Sequence, residues 1–119
     1  MAYHSFEDLD IWKRGCRLAV DLCKELEECK NWSFRDQMQR AAISIPSNIA
    51  EGAERDSVPD FAKFLRYAKG SAGELRTQIY IGIKLGLFEK EVGDRFVQEL
   101  RELSAMTQKS IFTLTKSEN

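Results

Sequence analysis

Histidine, proline and glycine are scarce in this 119-residue chain, which has 1 His, 2 Pro and 7 Gly. Helical-bundle enzymes that hold two metal ions place Glu-x-x-His pairs on facing helices. His4 stands alone, ahead of the first predicted helix, so that chemistry is excluded and no metal site is expected. The shortage of proline leaves room for long helices. Cysteine is sparse too: Cys16, Cys23 and Cys29 are an odd number on one predicted helix, where neighbours are poorly placed to pair. They read as reduced, small apolar residues, and a stripe facing the core is no setting for an activated nucleophile. No run approaches the ~18 continuous apolar residues of a membrane span. The start, Met1 to Asp8, lacks a basic segment followed by an apolar run, so neither export nor membrane insertion is signalled and the expected location is cytoplasmic. Neither charge sign dominates: 18 Lys+Arg against 19 Asp+Glu give a net charge of -1, so a nucleic-acid contact would need a local basic patch. A glycine-rich strand-to-helix phosphate loop is also missing, and no cofactor is expected.

What is present is helical periodicity. Leu9, Trp12, Cys16, Ala19, Cys23 and Leu26 alternate gaps of three and four and define one stripe of a first helix. Phe61, Leu65, Ala68, Ala72, Leu75, Ile79 and Gly82 do the same in a long third helix, and Val92, Phe96, Leu100, Leu103, Ile111 and Leu114 mark a fourth, with Thr107 where an apolar residue belongs. Serine followed by aspartate three residues on recurs at Ser5, Ser33 and Ser57 as a helix-start signal. Asn31 reads as a left-handed stop and Gly86 as a glycine C-cap. The pattern predicts helices over roughly 6–29, 34–54, 58–85 and 89–114 in a single domain, 1–119. Short connections predict an all-α, antiparallel, up-down-up-down four-helix bundle. Pro46 interrupts the second helix at a cost of about 3 kcal/mol. Apolar residues resume in phase at Ile49, so a continuous helix kinked at Pro46 is expected rather than a break and restart.

Three residue sets are candidates for function. Arg40, Ser44, Ser47 and Glu51, adjoining Asn48 on the second helix, and Ser71, Glu74 and Gln78 on the third, form a polar seam. It is either a buried network fixing helix register, with Arg40 paired to Glu74, or a seam open to a small ligand or substrate. Lys13, Arg14 and Arg17, with Lys63, Arg66, Lys69 and Arg76, are either a solvated face or phosphate contacts for RNA or DNA that oligomerisation would multiply. Ile11, Leu18 and Leu22 make a second apolar set on the first helix, and Phe64, Tyr67 and Val97, like Ile81 and Phe112, fall off the main stripes. An interface between copies would cover them. Gly70 and Gly73, in mid-helix, suit close approach by another helix.

The run Gln37-Met38-Gln39-Arg40-Ala41-Ala42-Ile43-Ser44-Ile45-Pro46-Ser47-Asn48-Ile49-Ala50-Glu51-Gly52 resembles the signature of the bacterial four-helix-bundle family called 23S rRNA intervening-sequence proteins. Phe6-Glu7-Asp8-Leu9-Asp10-Ile11-Trp12 resembles that family's opening, and Ala68-Lys69-Gly70-Ser71-Ala72-Gly73-Glu74-Leu75 its second signature. The resemblance implies a small cytosolic bundle assembling into a ring-like homo-oligomer, a pentamer, without established enzymatic activity. It also implies that nucleic acid is a partner of some relatives. Gln39 stands where many members carry a basic residue. The expected function is a non-enzymatic, homo-oligomeric scaffold with nucleic acid as a candidate partner; the alternative is a small-ligand binder or enzyme using the polar seam.

Overall fold

Capping chemistry decides where each helix of this chain begins and ends. The computed structural model describes residues 5–118, with side-chain surroundings as far as Lys116, and His4 lies outside the described residues. The Ser5 hydroxyl accepts from the Glu7 amide, but it caps only a single 3-10 turn, Phe6–Asp8. Leu9 is extended (φ -78°, ψ 128°), so α1 proper is Asp10–Glu25, shorter at both ends than the sequence pattern predicts. Glu25, Glu27 and Glu28 lie at its C-terminal end, where negative charge opposes the helix dipole, and this accounts for the early stop. Cys29 consequently falls in the loop. Asn31 starts a helix instead of stopping one: its side chain accepts from the Phe34 amide and caps α2, Trp32–Ala53, which places Ser33 inside the first turn.

The third start follows the sequence signal. Ser57 accepts from the Asp60 amide, Pro59 sits in the first turn, and α3 runs Val58–Lys84. Its end is a Schellman motif: Gly86 takes φ 76°, the Leu87 amide donates to the Gly82 carbonyl at 2.8 Å and the Gly86 amide to the Ile83 carbonyl at 3.1 Å. The last helix, α4, is Lys90–Glu118. These four α-helices and the 3-10 turn are the only regular elements among the described residues, and they pack into a four-helix bundle with dimensions of 47 × 19 × 19 Å.

Helix α2 packs on α1 and α3, α3 packs on α4, α1 meets α4 more sparsely, and the backbones of α1 and α3 approach nowhere within 8 Å. Leu22, Ile45, Ile49, Leu65, Leu75, Ile79 and Leu100 are completely buried between them. Each such side chain contributes roughly 1.5–3 kcal/mol by leaving water. Thr107 enters this core because its hydroxyl donates to the Leu103 carbonyl at 2.8 Å, which satisfies the polar group inside its own helix.

The face that α1 buries corrects the sequence reading. Its core side is Ile11, Gly15, Leu18, Ala19 and Leu22, while Trp12, Cys16 and Cys23 are flanking and half-buried. Gly15 lies on that buried face against Pro46, where even a β-carbon would sit at an ordinary contact distance of 3.4 Å from the proline ring. The proline ring fills that space and is itself buried, which offsets part of the hydrogen bond it removes. Helix α2 is unbroken through Pro46, with Ser44 Oγ donating to the Ala41 carbonyl at 2.7 Å and Asn48 Nδ2 to the Ser44 carbonyl at 2.8 Å.

Candidate interaction surfaces

The residues of the candidate polar seam do not form one network. Arg40, Ser47, Glu51 and Glu74 are exposed, Ser44, Asn48 and Ser71 are half-buried, and only Gln78 is buried. The bonds of Ser44 and Asn48 stay within α2, and Glu51 faces Arg55 of its own helix at 3.9 Å. Arg40 and Glu74 form no ion pair among the described residues. The physical reason is burial: α2 turns Met38, Ala42, Ile45 and Ile49 inward, which sends Arg40, Ser47 and Glu51 to the outer surface. Gln78 Oε1 is buried without a hydrogen-bond partner, a group the packing leaves unsatisfied.

The two basic clusters separate. Lys13, Arg14 and Arg17 ride on α1 and Lys63, Arg66, Lys69 and Arg76 on α3, helices whose backbones are not adjacent. Arg14 is taken: its Nη2 lies 2.8 Å from Glu99 and 2.9 Å from Glu102 of α4, and its Nη1 donates to Met106 Sδ. Hydrogen bonds to Glu99 and then Glu102 raise its pKa further, and the same Arg14 contact, followed by Gln98, holds the Glu102 carboxyl below its ordinary range. Beside this clamp a cleft of about 780 Å³ opens between α1 and α4, with Arg17, Lys24 and Arg95 interleaved with Asp21, Glu25 and Glu28. Mixed charge makes it a poor site for a polyanion. Lys69 donates to Gln108 of α4 at 2.6 Å, and Lys63 stands 5.9 Å over the Tyr67 ring.

Four of the six candidate interface residues belong to the chain's own core: Ile11, Leu18, Leu22 and Val97 are at most 5% exposed. They are withdrawn from any surface, because α1 turns the face that carries three of them into the core. Phe64 is half-buried against Gly52 and under Arg55, and Tyr67 is 48% exposed. What replaces the α1 set is on α3. Phe64, Tyr67, Ser71, Glu74, Gln78, Ile81 and Leu85 alternate gaps of three and four, a second stripe beside the core stripe. Tyr67, Ile81 and Leu85 leave it 46–57% exposed. A β-carbon built on Gly70 or Gly73 would meet nothing within 4 Å, so neither glycine is needed by packing inside the chain. Cys16 and Cys23, half-buried on α1, have thiols pushed up by desolvation and are poor nucleophiles.

Residues 7–109 match the family described as 23S rRNA-intervening sequence protein. The chain belongs to that family. No curated protein matches it. Among solved structures it is similar to a protein of unknown function from the S23 ribosomal protein family of Bacteroides thetaiotaomicron, with a TM-score of 0.80 and 23% identity over 85% of this chain and 97% of that one. At that identity the likeness concerns the fold, and the intervening-sequence family is in this way tied to the four-helix bundle described above. No helix among the described residues is long and apolar enough to cross a membrane. No group of three or more potential metal ligands occurs among them.

Proposed function

We propose that this intervening-sequence family member is a non-enzymatic, cytosolic scaffold whose copies associate through the outer face of α3, presenting their remaining faces to another macromolecule. The carrying observation is the open glycine at the edge of that face, Gly70. Mid-helix glycine costs about 1 kcal/mol relative to alanine. Gly70 meets no neighbour that would require it, while Tyr67 and Ile81 beside it stand about half exposed. A helix from a second copy, lying close against the backbone there, supplies the missing reason for both features. Helix α3 alone offers a strip of roughly 40 Å by 10 Å, about half of the ~800 Å² that each partner of a stable interface buries. Arg40 and Glu74, unpaired within one chain, are then free to pair between copies. The family resemblance sets the expected assembly as a pentamer. Sedimentation velocity on Gly70→Arg tests the face: the site is open in the single chain, so the variant should fold yet sediment as a smaller species. An unchanged sedimentation coefficient would remove this face from the interface.

A further inference from the structure

We infer that the face shared by α3 and α4 binds the backbone of single-stranded nucleic acid, with Arg66, Lys69, Arg76 and Arg101 as phosphate contacts and Tyr80 and Phe112 as stacking platforms. The inference gives the proposed scaffold its partner. It stands on a surface other than the one through which copies associate.

Two hydrogen bonds place the helices side by side: Lys69 Nζ to Gln108 at 2.6 Å, and Arg101 Nη2 to the Tyr80 hydroxyl at 3.0 Å. Continuing that register by one turn brings Arg66 level with Phe112. At 100° per residue, Arg66, Lys69, Arg76 and Tyr80 fall within an arc of about 80° on α3, while Glu74 projects about 125° away from its centre. The carboxylates of α4 nearest this level, Glu99 and Glu102, are held on the opposite flank by Arg14. Four cations therefore share a strip without a carboxylate, on a chain whose net charge is only -1. The sequence hid Arg101 because acidic neighbours surround it along α4; only the packing against Tyr80 moves it to the α3 side.

The arrangement suits a phosphate backbone better than a compact anion. From residue 66 to residue 80 the strip is about 21 Å long, and three of its four cations are arginines, whose planar forks match phosphate oxygens. Gly73, Ala105 and Ser104 leave the strip between them low. Tyr80 is 44% and Phe112 61% exposed, one near each end, so bases flanking the bound phosphates have rings to lie on. The Lys13 and Arg17 side lacks this character because its cleft interleaves acids with bases.

Fluorescence anisotropy of a labelled oligouridylate across a salt series tests the assignment. Four contacts at about -0.7 each give an expected slope of log K against log salt near -2.8 for a single strand. Arg76→Ala and Arg101→Ala should each reduce the slope by about 0.7. Phe112→Ala should weaken binding about fivefold or more with little change of slope. Lys13→Ala combined with Arg17→Ala should leave both quantities unchanged. Absence of binding at low salt, slopes indifferent to Arg76 and Arg101, or equal loss in the Lys13/Arg17 variant would each overturn the inference. Polyglutamate competing as well as oligouridylate would overturn it too, assigning the strip to an acidic protein. Sedimentation of the same samples separates the two readings: an intact assembly that does not bind rejects this surface and leaves the scaffold standing.

Discussion

Gly52→Ala is the sharpest probe of how α2 meets α3. Judged on helix propensity alone, alanine should stabilise α2 by about 1 kcal/mol. The structure reverses the sign. A β-carbon on Gly52 would lie 2.6 Å from Phe64 Cβ, 3.2 Å from the Phe61 ring and 3.3 Å from the Phe61 carbonyl oxygen. Phe64 Cβ and a carbonyl oxygen are fixed to the backbone and cannot swing aside as the end of a flexible side chain can. The helices must therefore separate locally, and overpacking of that kind costs typically 1–3 kcal/mol. A 2.6 Å approach to a backbone-fixed atom belongs in the upper part of that range, about 2–3 kcal/mol. After the propensity gain of about 1 kcal/mol the net expectation is a loss of about 1–2 kcal/mol, or roughly 4–8 °C in melting temperature. Urea unfolding followed by circular dichroism measures it, at one fixed protein concentration because assembly adds to apparent stability. Gly70→Ala is the control: its site is open, so the folded single chain should gain about 1 kcal/mol. If Gly52→Ala proves as stable as the parent chain, the close approach of α2 and α3 is refuted.

Two further outcomes follow from local geometry. Gly86→Ala should cost roughly 1–2 kcal/mol by urea unfolding, because Gly86 holds φ 76° in the Schellman motif and a β-carbon is disfavoured there; a neutral result would mean that the turn is dispensable. Glu102, whose folded carboxyl is held low by Arg14, contributes stability that is complete above its ordinary value of 4.5 and lost as pH falls through the lower folded value. Glu102→Gln should therefore flatten the fall in stability as pH drops below 4.5. A parallel pH profile in parent and variant would show that the contact has no weight in solution.

Much of the fold was legible because helices announce themselves by spacing and caps. Ser57, Pro59 and Gly86 act as local chemistry says they should, and the core stripe of α3 is the one its gaps of three and four define. The α1 face was not legible. Two apolar sets lie on α1, and which of them faces the core is settled by packing against α2 and α4, which spacing within α1 does not reveal. Asn31 misled for a related reason: an asparagine between two helices serves as a stop or a start, and only the Phe34 amide decides which.

Surfaces were harder still. The sequence placed Arg40 and Glu74 at one level of the α2–α3 junction, but which side of each helix turns outward follows from burial of the residues between them, so no pair forms. Arg14 read as a free cation until α4 brought Glu99 and Glu102 to it. Arg101 drew no notice for the converse reason, since its neighbours in sequence are not its neighbours in space.

Sedimentation equilibrium of the purified chain tests the scaffold most directly. The expected result is one species whose mass is an integral multiple of 13.7 kDa, a pentamer in the case the family resemblance implies, that dissociates in Gly70→Arg without loss of helix. A monomer at micromolar concentration, with Tyr67, Ile81 and Gly70 left facing water, would contradict it.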